Sequence, residues 1–376
     1  MDSIEISSKL IRFKSITPHS AGSLEYIQKI LKKRKFECHL LEFNNSKVKN
    51  LYAVLRGGSG PNVFFAGHTD VVPPGNEKEW KTNPFDPVIK NGSLYGRGAS
   101  DMKTGIASFI SASLKFLELK KNKFGGSLGF LLTSDEEGDA EFGTKSLIDW
   151  LIENKKNVDF CIVGEPTNPN KLGEMIKIGR RGSINGSIKV IGKQGHVAYP
   201  EKSENPIDYV MKICMELTKP LDSGSKSFQP SRLTITSIDV GNDVTNLIPS
   251  HATIKFNVRF NDLHTSKDLI KVLNNRIKST KAKYNLETKT SGESFLNFSE
   301  KLTNAVVKSV KKITKKKPKL STSGGTSDAR FISKICPVIE FGLVGKTMHQ
   351  VNENVSTNDI KKLSEIYFEF LNIMFS

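Results

Sequence analysis

The 376-residue chain reads as an α/β protein in which a discontinuous sheet domain is interrupted by a small α+β domain. Three observations predict this. Short apolar runs alternate with helical stretches through residues 1–179, the texture of a sheet covered by helices. From Arg180 the order of elements becomes β-α-β-β-α-β, the signature of a ferredoxin-like unit. Beyond residue 292 the first texture returns. Residues 1–179 and 293–376 therefore form one domain and residues 180–292 the inserted one, hinged near Gly179 and Gly292. At about 100–200 residues per domain, the length agrees.

Residues 4–13 and 23–35 carry apolar side chains at helical spacing, and Pro18 separates them. The runs 51–55, 63–66, 127–133 and 160–163 are short and apolar, as buried strands are, and a helix is predicted over 104–119. In the inserted domain, strands are expected at 183–191, 232–240, 253–260 and 283–288, with helices at 206–217 and 266–279. The chain closes with a helix over 299–313, a turn at Ser323-Gly324-Gly325-Thr326, a strand at 338–341 and a helix over 359–374.

Composition narrows the function classes. With 37% hydrophobic and 25% charged residues the chain is globular, which excludes disorder as its overall state. No run approaches the roughly 18 apolar residues of a membrane span, and the N-terminus has early acids and no long apolar segment, so a cytoplasmic protein without a membrane partner is expected. Cys38, Cys161, Cys214 and Cys336 are widely spaced among apolar neighbours, with no C-x-x-C pair, and are expected to be small buried side chains. The net charge is +17, but the lysines are spread along the chain. The one dense run, Lys311-Lys312 with Lys315-Lys316-Lys317, reads as a solvated helix end, and the absence of aromatic-basic interleaving argues against a nucleic-acid partner. A positive field also suits a small anionic substrate.

Three clusters follow apolar runs: Gly67-His68-Thr69-Asp70, Thr133-Ser-Asp-Glu136-Glu137-Gly138 and Gly164-Glu165-Pro166. Ligands of open α/β sheets bind at the carboxyl ends of strands, which is where these clusters fall. A fourth, Gly96-Arg97-Gly98-Ala-Ser-Asp101, precedes a helix, and His349 follows the last predicted strand. Two imidazoles with three or more carboxylates are the donor set for a pair of divalent ions of zinc type, one carboxylate bridging. Asp70, two residues beyond His68, is placed to accept the second imidazole N–H and orient the ring. If the chain stays extended at Glu136 and Glu137, their side chains point to opposite sides, so one is a ligand and the other is free to act as a base. His19, His39, His251 and His264 have no such setting.

Together these residues resemble the dinuclear zinc amidohydrolases, the family that includes aminoacylases, acetylornithine deacetylases and succinyl-diaminopimelate desuccinylases. The resemblance spans essentially the whole chain. The strings Gly96-Arg-Gly-Ala-Ser-Asp101-Met-Lys, Thr133-Ser-Asp-Glu-Glu-Gly138, Gly179-Arg-Arg-Gly-Ser183, Gln194-Gly-His196-Val-Ala-Tyr199-Pro and Ser321-Thr-Ser-Gly-Gly-Thr326-Ser-Asp-Ala-Arg330-Phe look like its desuccinylase branch. The resemblance implies a zinc-peptidase-like catalytic domain with the inserted domain serving as lid and dimerisation domain. It implies two Zn2+, with Co2+ an alternative in one site: His68 and Glu165 on one ion, Glu137 and His349 on the other, and Asp101 bridging. Glu136 is then the general acid and base, deprotonating the bridging water and later protonating the leaving amine, and the Asp101–Met102 peptide is cis. A homodimer is implied in which His196 reaches the partner's active site to stabilise the oxyanion.

The reaction so implied is hydrolysis of N-succinyl-LL-2,6-diaminopimelate to succinate and LL-2,6-diaminopimelate, a step in lysine and diaminopimelate biosynthesis. That substrate has three carboxylates and one ammonium, so its site needs cationic and N–H donors, and bidentate arginine is the usual solution. Arg180, Arg181, Arg259 and Arg330 lie in or beside the matching strings, and the Ser323–Thr326 turn offers backbone N–H groups. By resemblance Ser183, Tyr199, Asn246, Gly325 and Thr326 join them. A deacetylase or dipeptidase with the same metal core is the nearest rival. One departure stands out: many desuccinylases have an asparagine shortly before the last histidine, where this chain has Gly345.

Overall fold

The computed structural model describes residues 1–376, which divide into two compact units. The first comprises Met1–Ile178, Asn297–Ser321 and Ser327–Ser376, and the second Gly179–Leu296 with Thr322–Thr326. The second boundary falls at Leu296 rather than at Gly292, because Phe295–Leu296 pairs antiparallel with Gly179–Arg180. The turn Thr322–Thr326, expected in the catalytic domain, also belongs to the second unit. There the Thr322 hydroxyl donates to the Ser227 carbonyl and the Arg180 guanidinium reaches the Ser323 carbonyl.

An eight-stranded sheet forms the centre of the first unit, in the order Glu37–Phe43, Val48–Arg56, Ser127–Thr133, Asn62–His68, Phe160–Val163, Val338–Glu340, Met175–Lys177, Lys319–Ser321. The four strands from Ser127–Thr133 to Val338–Glu340 run parallel to one another, so their carboxyl ends share one edge. Ser127–Thr133 is buried along its whole length, which is why it reads as a continuous apolar run. Helices Ser3–Arg12, Lys103–Leu119, Glu300–Thr314 and Thr357–Met374 pack around a core that includes Phe65, Phe109, Phe130 and Tyr367, with Phe65 and Phe109 stacked at 4.4 Å between centroids. A three-stranded sheet, Asn354–Ser356, Ser93–Tyr95 and Val88–Lys90, brings the residues after His349 beside those before Arg97.

The second unit is a four-stranded antiparallel sheet in the order Arg232–Asp239, His251–Phe260, Gly182–Ile191, Lys283–Gly292. This is the ferredoxin-like strand order, and helices Pro206–Leu217 and Ser266–Ser279 cover it. Its apolar core, centred on Ile188, Ile254, Phe256 and Leu273, is separate from that of the first unit. Cys161 and Cys336 are buried thiols, whereas Cys38, on the edge strand of the large sheet, and Cys214, packed against the outside of the second unit's core, are only partly buried; all four are free. The lysine run after Val310 ends helix Glu300–Thr314, with Lys315 in the left-handed conformation as its C-cap. No helix is long and apolar enough to cross a membrane.

Candidate active site

Four of the candidate ligands and the proposed base sit at or just beyond elements that converge near the carboxyl edge of the first unit's sheet, and His349 lies in the turn between strands Val338–Glu340 and Asn354–Ser356. His68 is the last residue of its strand, Glu136 and Glu137 follow Ser127–Thr133 by three and four residues, and Glu165 follows Phe160–Val163 by two. Asp101 precedes helix Lys103–Leu119, and the Asp101–Met102 peptide is cis. His349 sits in a turn with a φ of +61°, in the left-handed region.

The two carboxylate oxygens of Asp101 face different imidazoles. Oδ1 lies 3.2 Å from His68 Nε2, and Oδ2 lies 3.2 Å from His349 Nε2. Glu165 Oε1 stands 3.7 Å from His68 Nε2, and Glu137 Oε1 stands 2.9 Å from His349 Nε2. Two donor groups result, His68 with Asp101 and Glu137, and His68 with Glu136 and Glu165, each with its ligand atoms within 4.8 Å of one another. His68 Nε2 and Asp101 Oδ1 are buried, and neither has a hydrogen-bond partner in the chain. Two orphaned buried polar atoms side by side, amid carboxylates and imidazoles, fit a divalent cation of zinc type.

Asp70 orients this site differently from expectation. Its backbone carbonyl, not its carboxylate, accepts the His68 Nδ1–H at 2.9 Å; Oδ1 lies 3.7 Å away. A carbonyl can only accept, so Nδ1 carries a proton and Nε2 is the ring nitrogen turned toward the carboxylates, the one a metal ion would take. The Asp70 carboxylate instead accepts the backbone N–H groups of Glu136 and Glu137, at 3.1 and 3.0 Å. Those two bonds, with Asp135 accepting from Phe142 N, curl the chain after Thr133 into a turn. Glu136 and Glu137 therefore do not continue a strand, and both side chains turn toward the metal-site residues instead of facing opposite sides.

Electrostatics in the cluster follow from burial and proximity. Burial opposes charge on His68, yet Asp101, Glu165 and Glu136 hold its pKa well above the ordinary value. Asp101 and Glu137 raise His349 to about 10. Burial raises Glu136 and Glu165 well above the usual carboxylate range and Asp70 to about 6, whereas the imidazoles overcome burial at Asp101 and pull it down. A buried site with more acid than base has room for added positive charge.

The remaining candidates divide between the units. Arg330 is in the first, on the short helix Ala329–Ile332, with its guanidinium over the Phe331 ring. Arg180, Arg181, Ser183, His196, Tyr199, Asn246, Arg259, Gly325 and Thr326 are in the second. Ser183 and Arg259 are opposite one another on paired strands. His196 is exposed, on a two-residue strand paired with Leu247–Ile248; its Nδ1 accepts the Ala198 N–H, which leaves Nε2 free, and the Tyr199 ring lies 5.9 Å away. Asn246 accepts the Val197 N–H through its carbonyl. Gly345 opens the turn leading to His349, its carbonyl accepting the Met348 N–H. Buried Glu353 was not singled out by sequence, because its partners Arg97 to Asp101 are far away in the chain and no local pattern marks it; buried Asp328, within the 321–331 string, was given no role and accepts from the Thr144 hydroxyl.

Imidazoles and carboxylates converging near the strand ends of an α/β sheet, with the buried Glu136 beside them, are the constellation of a metal-dependent amide hydrolase. The family model for "Peptidase family M20/M25/M40" matches residues 64–373, and the chain belongs to that family. Among curated relatives, succinyl-diaminopimelate desuccinylases from Pelagibacter ubique and Wolbachia pipientis are 52% and 48% identical to it, covering 98% and 100% of this chain and 97% and 94% of their own. Among solved structures, a metallo-carboxypeptidase from Sulfolobus solfataricus aligns with a TM-score of 0.80 at 19% identity, over 100% of this chain and 99% of its own. A dinuclear metal-binding peptidase from Bacillus subtilis aligns with a TM-score of 0.70 at 15% identity, over 99% of this chain and 96% of its own. At that identity these structures speak to the fold alone.

Proposed function

We propose that the chain hydrolyses the amide bond of N-succinyl-LL-2,6-diaminopimelate, releasing succinate and LL-2,6-diaminopimelate. The observation that carries the reading is identity near 50%, over almost the whole length, to relatives named for that reaction. His68 and Glu165 would hold one divalent ion and Glu137 and His349 the other, with Asp101 shared between them, the metal being zinc, or cobalt in one site. When bound, such a pair supplies Lewis acidity that polarises the scissile carbonyl and lowers the pKa of water toward 7. Glu136 takes the proton from the attacking water and delivers it to the departing amine. Its burial favours that role, because a carboxyl held above the usual carboxylate range is a stronger base toward the attacking water and can still return the proton to the amine. Asp70 keeps the His68 ring and the Glu136-Glu137 turn in place.

The second unit supplies recognition and the oxyanion partner. Arg180, Arg181 and Arg259 in that unit, with Arg330, Ser183, Tyr199, Asn246 and the N–H groups of Gly325 and Thr326, bind the substrate's carboxylates, and His196 stabilises the tetrahedral oxyanion in the active site of a second copy within a cytoplasmic homodimer. The test is hydrolysis by the zinc-loaded protein of the succinylated substrate beside N-acetylornithine. Preference for the succinyl compound, reduced about 10²–10⁴-fold in Glu136→Ala with metal content retained, is expected. Preference for acetylornithine overturns the substrate assignment, and an unchanged rate in Glu136→Ala overturns the general base.

A further inference from the structure

The first unit contains a buried carboxylate that touches neither proposed ion yet joins two segments carrying their ligands. Glu353 is fully buried and accepts four hydrogen bonds, two on each oxygen. Oε1 takes the backbone N–H groups of Ser100 at 2.7 Å and Asp101 at 3.1 Å. Oε2 takes the Gly98 N–H at 3.1 Å and the Arg97 guanidinium at 2.7 Å. The Glu353 carbonyl also accepts the Gly96 N–H. Arg97, equally buried, lies over the Trp80 ring at 5.3 Å and extends Nη1 to the Gln350 carbonyl at 3.3 Å. The loop ending at Asp101 is thus wrapped around one side chain, four residues beyond His349.

We propose that Glu353 is a positioning residue for the metal centre, locking the Gly96–Asp101 loop to the His349–Glu353 segment so that the Asp101 carboxylate stands between His68 and His349. The inference rests on the metal-centre reading above. Both oxygens face only donors, so the site demands a carboxylate. An amide in its place turns an NH2 group toward one pair of donors, whichever way it rotates, and loses two accepted bonds there. The backbone of Asp101, held through its own N–H, then moves, and the carboxylate moves with it. Outer partners that orient ligands in this way typically contribute 10–100-fold to metal affinity.

The experiment titrates the metal-stripped full-length protein with Zn2+ and Co2+ against a competing chelator and records the visible spectrum of the cobalt form. Parent, Glu353→Gln and Leu363→Ala are compared. Leu363 is buried in helix Thr357–Met374 with no tie to the site, so its truncation supplies destabilisation without a change in ligand position. Expected is a 10–100-fold loss of affinity at one or both sites in Glu353→Gln with an altered cobalt spectrum and a parent-like far-ultraviolet spectrum of the metal-free protein, while Leu363→Ala binds as the parent does. Affinity in Glu353→Gln within twofold of the parent overturns the proposal, as does an equal loss in Leu363→Ala. Should Glu353→Gln not fold, Glu353→Asp, which keeps the charge beside Arg97 but is one methylene shorter, is read by the same criteria. A parent that binds no metal at micromolar concentration overturns the metal-centre reading instead.

Discussion

His196 and Gly324 carry the sharpest expectations for single residues. With Nδ1 occupied by the Ala198 N–H, the one free polar atom of His196 is Nε2, the atom an oxyanion partner needs. His196→Ala is expected to lower kcat by about a hundredfold at unchanged zinc content, the size of one lost oxyanion donor; a kcat within threefold of the parent removes the role. Gly324 has a φ of +113°, and a Cβ there would lie 2.3 Å from Arg180 Nη1. Gly324→Ala therefore displaces the guanidinium, and an increase in KM of about tenfold or more is expected from weakening one charge-assisted contact. Steady-state kinetics with an unchanged KM would show that Arg180 does not hold the substrate. Lys103 illustrates how severe this interior is: wholly buried, its ammonium donates to the Phe13 carbonyl and burial lowers its pKa to about 7.

At the scale of elements, the second unit depends on a carboxylate that closes its loops. Asp222 accepts from Gly224 N, Ser231 N, Asn261 Nδ2 and His264 Nε2. Burial pushes its pKa up, but these donors prevail and bring it from 3.8 to about 2. A carboxyl depressed in the folded state contributes stability above its unfolded pKa and loses it as the pH falls through the folded one. Acid unfolding of this unit is thus expected to steepen between pH 4 and pH 2, and Asp222→Asn to remove that dependence at a cost of about 2 kcal/mol above pH 4. Circular dichroism across the acid range is the check, and a parent and variant with parallel curves would contradict it. The turn after Ser127–Thr133 teaches the complementary lesson: the strand is legible in its apolar run, but the turn exists because Asp70, far away in sequence, accepts two of its N–H groups.

For the whole molecule, two separate cores predict two responses. The proposed ligands all lie in the first unit, so zinc bound by them is expected to stabilise that unit and not the second. Calorimetry is expected to show one transition rising with added zinc and falling with chelator while a second stays put; a single transition moving as one would mean that the units unfold together. The homodimer reading has its own assay. Mixing His196→Ala subunits with Glu136→Ala subunits, each inactive alone, creates hybrids in which one site has both groups if His196 acts across the dimer, and about a quarter of parental activity is expected from random exchange. No recovery after exchange would place His196 in its own subunit's site.

What the amino-acid sequence determined by itself is what burial writes locally. Helix Pro206–Leu217, helix Ser266–Ser279 and strand Ser127–Thr133 fall where their periodicity puts them, the β-α-β-β-α-β order yields the ferredoxin-like sheet, and the ligand strings stand at strand ends because glycines and polar residues follow each apolar run. The two edge strands, Glu37–Phe43 and Lys319–Ser321, escaped notice: the first is only partly buried along its length and shows no apolar run or alternation, and the second has three residues, too few to show a period. Only the tertiary structure decided that the two oxygens of Asp101 face different histidines, that Asp70 works through its carbonyl on His68 and its carboxylate on the Glu136-Glu137 turn, that Thr322–Thr326 belongs with the second unit, and that Glu353 gathers the Asp101 loop. Hydrogen bonds between residues tens to hundreds of positions apart depend on where two segments meet in space, and neither segment's own pattern records that meeting.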